Sequence, residues 1–169
     1  QNEVFFHFMR TKLPFTVLKY AMTLDGKTAT VSGKSQWITG EAARKRVHED
    51  RGRYMAILTG VSTVLADNPQ LTCRIPGGKN PIRVIADTKL RTPLSSTVVQ
   101  TARETPTWIV TAVSDAGRKK AYEDAGCRVL SVPATEGELD LQALMPRLGE
   151  EQVDSVLVES GAALAWSFF

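Results

Sequence analysis

Short apolar runs alternate along the chain with longer segments whose apolar residues recur at helical spacing. Tyr54–Thr59 (YMAILT), Pro81–Asp87 (PIRVIAD) and Thr107–Thr111 (TWIVT) read as strands, and Ser155–Val158 (SVLV) reads as a short buried one, apolar and β-branched. Strands of that kind are buried on both faces, as inside a parallel sheet. Phe15–Thr23 (FTVLKYAMT) reads as a first strand and Arg128–Val132 (RVLSV) as a fifth. Lys19 interrupts the first, which marks either a sheet edge, the commoner case, or a side chain turned into a pocket.

Helical segments lie between these strands. Thr39-Gly40-Glu41 opens one that runs to about Arg51-Gly52, with Thr39 as its N-cap. Its apolar stripe is little more than Ala43 and Val47, so it is expected on the surface, with His48 solvated. Gly60 opens VSTVLADNPQ, which Asn68-Pro69 stops. Ser114 is expected to cap a helix ending at Gly126. Leu141, Leu144, Met145 and Leu148 mark another, which Pro146 should kink or shorten. Val4, Phe5, Phe8 and Met9 give residues 1–14 the character of a tether helix, and Leu24–Gln36 is a loop with Asp-Gly and Ser-Gly turns. Strands alternating with helices predict an α/β domain with a mostly parallel sheet.

Charge and cysteine content narrow the function classes. A net charge of +3 over 169 residues suits an acidic or phosphorylated ligand but is too dilute for a nucleic-acid binder. Cys73, Cys127, His7 and His48 match no metal spacing, so no metal site is expected, and both thiols are expected to pack as small apolar residues in a reducing cytoplasm. No apolar run is long enough to span a bilayer, and no signal peptide opens the chain. The missing initial Met and the apolar end at Trp166, Phe168 and Phe169 raise the expectation of a fragment whose end is normally covered, as in a homo-oligomer.

Two strand–glycine–helix joints, at Gly60 and Gly161, carry the candidate chemistry. Such joints are ready anion sites, although most are bare connections. Polar clusters Ser35/Trp37, Thr63/Asp67 and Glu159/Gly161 are expected at the carboxyl edge of the sheet, where ligands of open α/β folds bind. There is no P-loop, nucleophile elbow or full dinucleotide fingerprint. Residues alone lead to a cleft for a phosphorylated ligand, without naming a reaction.

The stretch LKYAMTLDGKTATVSGKSQWITGEAARKRVHEDRGRYMAILTGVSTVLADNPQLTCR, with PIRVIADTKLRTP and SVLVESGAALA, resembles the reductase domain of the bifunctional riboflavin-biosynthesis deaminase–reductase family. The resemblance covers nearly the whole chain. It implies a dihydrofolate-reductase-like fold lacking its last strands here, with residues 1–14 joining an absent zinc deaminase domain to a reductase domain over 15–169. It implies NADPH-dependent reduction of the ribosyl group of 5-amino-6-(5-phosphoribosylamino)uracil. By the same resemblance, Ala21, Trp37, Thr63, Asp67, Thr88 and the turn through Gly161, Ala162, Ala163 and Leu164 would meet the cofactor. Ser35, Arg51, Leu71, Arg74 and Glu159 would meet the substrate, with Lys19 and Glu159 as candidates for the proton work. Arg51 and Arg74 are forks suited to a phosphomonoester. Ser160 stands where the family commonly has glycine. A reductase acting on another pterin or pyrimidine, and a non-catalytic platform for the deaminase, stay open as alternatives.

Overall fold

The computed structural model describes residues 2–32, 37–159, 161, 164 and 167. In chain order the elements are α1 (Glu3–Thr11), β1 (Phe15–Lys19), α2 (Glu41–Arg53), β2 (Ala56–Gly60), α3 (Val61–Asp67), β3 (Ile82–Ala86) and α4 (Thr97–Gln100). These are followed by β4 (Thr107–Thr111), α5 (Ala116–Asp124), β5 (Arg128–Ser131), β6 (Ala134–Thr135), β7 (Glu138–Leu139), α6 (Leu141–Glu150) and β8 (Ser155–Glu159). Six strands form one sheet in the order β1-β8-β2-β3-β4-β5, and every pairing in it is parallel. Their carboxyl ends therefore share one edge. From β2 the chain steps outward through β3, β4 and β5, and α6 then carries it back to insert β8 between β1 and β2.

Alternation along the inner strands supplies two buried layers. Leu58, Val84, Trp108, Val110, Val156 and Val158 point to the face covered by α6 through Leu141, Leu144 and Leu148. Ile57, Ile85 and Ile109 point to the other face, against Val64 of α3, Val98 and Val99 of α4, and Tyr122 of α5. Burial on both sides explains why these strands read as mostly apolar runs, with Arg83 of β3 the charged exception. β1 lies at the edge, so the lysine in it does mark an edge strand.

Several local expectations are corrected. β1 stops at Lys19 rather than Thr23, because its partner β8 stops at Glu159. The Asp25-Gly26 turn then closes on Thr23, whose N–H bonds the Lys27 carbonyl at 2.9 Å, with Gly26 at φ +79°. Gly40, not Thr39, stands at the start of α2, and no side chain caps it. Asp115, not Ser114, caps α5 by accepting from the Arg118 N–H at 3.1 Å. α6 runs through Pro146 to Glu150. The Gln142 carbonyl that loses its donor there lies on the exposed side of the helix, where water can serve it. His48 is half-buried rather than solvated.

One charged side chain lies fully inside. Arg83 of β3 has no exposed surface. Its guanidinium donates to the carbonyls of Gln70 (3.2 Å), Val98 (3.1 Å), Thr101 (3.1 Å) and Thr105 (2.7 Å) and to Thr101 Oγ1 (2.8 Å). Burial pushes its pKa down to about 10, still high enough to keep it charged at neutral pH. It holds the loops before β3 and β4 against the sheet's amino edge.

Gly149 closes the other end of the molecule. A Cβ there would lie 2.0 Å from the Lys12 carbonyl oxygen and 3.7 Å from Leu13 Cα, so only glycine lets α6 abut the backbone entering β1. Gly149→Ala is expected to cost about 1–3 kcal/mol, lowering Tm by several degrees in a calorimetric scan. An unchanged Tm would mean this contact does not form. Burial likewise pushes the Cys127 thiol up to about 11, so it stays protonated at pH 8. A thiol reagent at that pH should spare Cys127 until the protein is unfolded, as peptide mapping of the adduct would show.

Candidate active site at the carboxyl edge

Lys19 and Glu159 are the last residues of β1 and β8 and stand directly opposite in the parallel register. Glu159 ends the apolar run of β8 with its side chain only 10% exposed, a position that needs a partner. Arg51, from the last turn of α2, supplies it as a two-pronged fork. Nε meets Oε1 at 2.8 Å, Nη2 meets Oε2 at 2.9 Å, and Nη1 donates to the Thr72 carbonyl at 3.2 Å. Each of the three guanidinium nitrogens is thus engaged. Arg51 is not the open fork for phosphate that its residue type suggests.

The loop after α3 is set by the same two arginines. Leu71 is buried, at 3% exposure, yet adopts φ +55°, a conformation β-carbon sterics disfavour. The twist sends the carbonyl on one side of it, Gln70, to Arg83 and the one on the other side, Thr72, to Arg51. Leu71 therefore contributes by packing its side chain in the core and by shaping this loop. Beyond it, the Cys73 N–H bonds Asn80 Oδ1 at 3.0 Å, and exposed Arg74 forms no ion pair among the described residues.

His48 joins the site although nothing in its immediate sequence marks it. It lies on α2 three residues before Arg51, spacing that puts both on one helix face. That i, i+3 relation is the available signal. Cys73 Sγ bonds the His48 carbonyl at 3.3 Å, tying α2 to the Arg74 loop.

The remaining candidates spread along the edge. Thr63 is half-buried in α3, and Asp67, its last residue, is exposed. Half-buried Ala21 follows β1, and half-buried Thr88 follows β3, its carbonyl accepting from Thr111 Oγ1 (3.1 Å) and the Ala112 N–H (3.2 Å). Leu164 packs beside Gly60, where a Cβ would lie 3.7 Å from Leu164 Cδ2, next to the joint that leads to Thr63. Gly161 is exposed and open, with nothing within 4 Å of where its Cβ would stand. Trp37 is 72% exposed, with the Arg44 guanidinium 4.6 Å above its ring. Ser35, Ala162 and Ala163 lie outside the described residues.

The geometry so far defines an α/β domain with a cluster of polar and charged residues at the carboxyl ends of its parallel strands, the edge where ligands of open α/β sheets bind. The chain belongs to the RibD C-terminal domain family, whose model matches residues 14–169. It is 49% identical over 166 residues to the riboflavin biosynthesis protein RibD of Actinobacillus pleuropneumoniae, covering 98% of this chain and 44% of that one. It is 39% identical over 157 residues to the 2,5-diamino-6-ribosylamino-4(3H)-pyrimidinone 5′-phosphate reductase of Methanothermobacter thermautotrophicus, covering 91% and 70% of the two chains. Among solved structures, Acinetobacter baumannii RibD superposes with a TM-score of 0.81 at 33% identity, covering 99% of this chain and 45% of that one. The chain thus spans somewhat under half the length of the RibD proteins it matches.

If the Arg51–Glu159 pair holds α2 to the sheet, Arg51→Met should lose about 3 kcal/mol by leaving a nearly buried carboxylate unpaired. Arg51→Met/Glu159→Gln should recover part of that loss in a double-mutant cycle by urea unfolding, and strictly additive losses would show that the pair is uncoupled.

Proposed function

We propose that this chain is an NADPH-dependent reductase that converts the ribosyl group of 5-amino-6-(5-phosphoribosylamino)uracil to a ribityl group. The observation that carries this reading is the register that sets Lys19 against Glu159 at the ends of adjacent parallel strands, two residues before Gly161. A proton donor and a carboxylate thus flank one edge of the cleft. The name of the Methanothermobacter reductase, most of whose length this chain covers, supports the same reading. No helix among the described residues is long and apolar enough to cross a membrane, and we assign the activity to the cytoplasm.

The residues present fit an extended dinucleotide along this edge. The position of a Cβ at Gly161 is open space, Leu164 sits beside Gly60, and Thr63, Asp67 and Thr88 offer polar groups farther along the edge. Ala21 and Trp37 complete the cofactor set in this proposal, with Ala162 and Ala163 of the turn. Bound nicotinamide supplies a hydride.

The chain's own groups manage the substrate. In its ring-opened form the ribosylamine is an imine; hydride adds at C1′ and the nitrogen takes a proton, giving a secondary amine. Lys19 carries that proton as an ammonium. Glu159, its carboxylate fixed by the Arg51 fork, accepts from ribose hydroxyls and holds C1′ in place. Arg74, with no ion pair of its own among the described residues, receives the phosphomonoester, and Ser35 and the backbone at Leu71 line the same end. The zinc deaminase half preceding residues 1–14 and a second copy of the chain are the partners of this proposal.

NADPH affinity should be measured first, then NADPH oxidation with the phosphoribosylaminopyrimidine and with dihydrofolate. Turnover on the former alone supports the reading, turnover on dihydrofolate alone overturns it, and cofactor binding without turnover on either leaves a scaffold. Lys19→Ala and Glu159→Gln should each lower kcat by about 10²-fold or more. Near-normal turnover in both would end the assignment. Arg74→Ala should raise KM for the phosphorylated substrate about tenfold with little change in kcat, whereas an unchanged KM would make Arg74 a surface charge.

A further inference from the structure

α1 carries more apolar surface than its own domain covers. Its sequence, EVFFHFMRT, places Val4, Phe5, Phe6, Phe8 and Met9 nearly all round the helix. A helix of that kind is expected inside a protein rather than on it. Here it lies on the surface, and no residue of it is fully buried. At about 100° per residue, Val4, His7, Phe8 and Thr11 share one face. All four are half-buried, and His7 meets the Phe15 ring of β1 edge to face, with centroids 5.7 Å apart. Phe5, Phe6 and Met9 fall on the opposite face, within an arc of about 100°. They are 59%, 66% and 51% exposed, and the Phe5 and Phe6 rings lie edge to face with centroids 5.6 Å apart.

That outer face is also held in one direction. The Lys12 N–H closes α1 on the Phe8 carbonyl at 2.8 Å, the Leu13 N–H bonds Thr11 Oγ1 at 3.1 Å, and Pro14 is buried. The Lys12 carbonyl abuts Gly149 of α6. A joint this tight leaves no slack before β1, whereas flexible linkers are rich in glycine and serine. The relatives say what lies on the far side of it. The family model is that of a C-terminal domain and begins at residue 14, after α1. The likeness to the Actinobacillus RibD takes in 98% of this chain, α1 with it, and accounts for only 44% of that protein. In such a protein α1 stands between the C-terminal domain and the portion before it. We propose that Phe5, Phe6 and Met9 dock on an apolar patch of the portion of the full-length protein that precedes residue 1, so that α1 is packed between two halves and is not a free tether. The proposal rests on the reading above that a further half precedes residues 1–14, and it is independent of what either half catalyses.

Peroxide oxidation of methionine, followed by peptide mass spectrometry, reads this face directly. Met9 and Met22 are equally exposed in this chain, at 51% and 50%. Met22 lies past the carboxyl end of β1 and α1 before its amino end, so Met22 serves as the internal standard. In the isolated 169-residue chain the ratio of the Met9 rate to the Met22 rate should be near one. In the protein expressed from the complete gene that ratio should fall about fivefold or more. Phe6→Glu, which would set a charge in the docked face, should return the ratio to within about twofold of one in the complete protein. The same substitution should leave the Tm of the isolated chain nearly unchanged, because Phe6 is exposed there. A ratio near one in the complete protein, or protection of Met9 that survives Phe6→Glu, would overturn the proposal, as would a gene that encodes nothing before Gln1. Protection already present in the isolated chain, with a dimer in sedimentation velocity, would assign the face to a second copy and overturn it too. Should Phe6→Glu fold poorly, Phe5→Glu decides, and the wild-type ratios need no substitution. None of these readouts is turnover, so their failure leaves the reductase reading standing, and failure of that reading leaves them unchanged.

Discussion

The pairing of Arg51 with Glu159 is the contact on which the rest of the carboxyl edge depends. A carboxylate at the end of a strand buried on both faces is costly to leave alone, and the guanidinium fork meets both of its oxygens at 2.8 and 2.9 Å. Pairs this enclosed add little net stability, because removing two charges from water offsets most of their attraction. What this pair supplies is position. α2 buries no side chain fully, so packing alone gives it a weak hold on the sheet. The fork, with the Cys73–His48 hydrogen bond, sets where its last two turns lie. Glu159 in turn keeps one orientation opposite Lys19 rather than a range of them.

A second arginine extends this control from the site into the core. Residues 70–72 are the hinge. Arg83 takes the Gln70 carbonyl from the buried side and Arg51 takes the Thr72 carbonyl from the site side. Leu71 between them adopts a positive φ that costs about 1–2 kcal/mol in a residue with a β-carbon. A glycine would relieve that cost but would leave the core without a buried leucine side chain, worth about 2–3 kcal/mol. Burial therefore outweighs strain at this position, and the loop that leads to Arg74 starts from a fixed point. Because the two Nη atoms of Arg83 donate to four carbonyls and a hydroxyl rather than to a carboxylate, Arg83 anchors these loops without placing a second acidic group near the site.

The parts of the fold that are legible from sequence are those where burial decides. Ala56–Gly60, Ile82–Ala86, Thr107–Thr111 and Ser155–Glu159 are inner strands of a parallel sheet, and their mostly apolar character, broken by Arg83 in β3, follows from two covered faces. Where several residues can do the same job, the pattern misses by one, as with Thr39 against Gly40 and Ser114 against Asp115. The β6–β7 hairpin escapes notice because its two-residue turn is Glu136-Gly137, both at positive φ, rather than the usual Asn-Gly or Asp-Gly. Pro146 reads as a breaker because the pattern says nothing of solvent, and solvent serves the carbonyl it leaves free. The Arg51–Glu159 contact joins residues 108 apart. No local spacing announces such a pair, so residue type alone does not show that Arg51 also clamps α2 to β8.

The order in which the sheet is threaded explains why so much of the site depends on one strand. β8 comes last among the described strands yet sits second from the edge, paired with β1 on one side and β2 on the other. Until it docks, β1 has no neighbour in the described sheet, Lys19 faces no carboxylate, and Arg51 lacks the carboxylate its fork grips. The β2–β5 portion can pair through connections of moderate length, whereas seating β8 closes the longest loops in the chain, a step whose entropy must be recovered by burying Val156, Leu157 and Val158 on both faces. Lys19, Glu159 and Arg51 are thus brought together by the same event that completes the core. A chain with β8 undocked has an apolar sheet edge and unpaired cations, which ties the Lys19, Glu159 and Arg51 cluster to the integrity of the whole sheet rather than to any single loop.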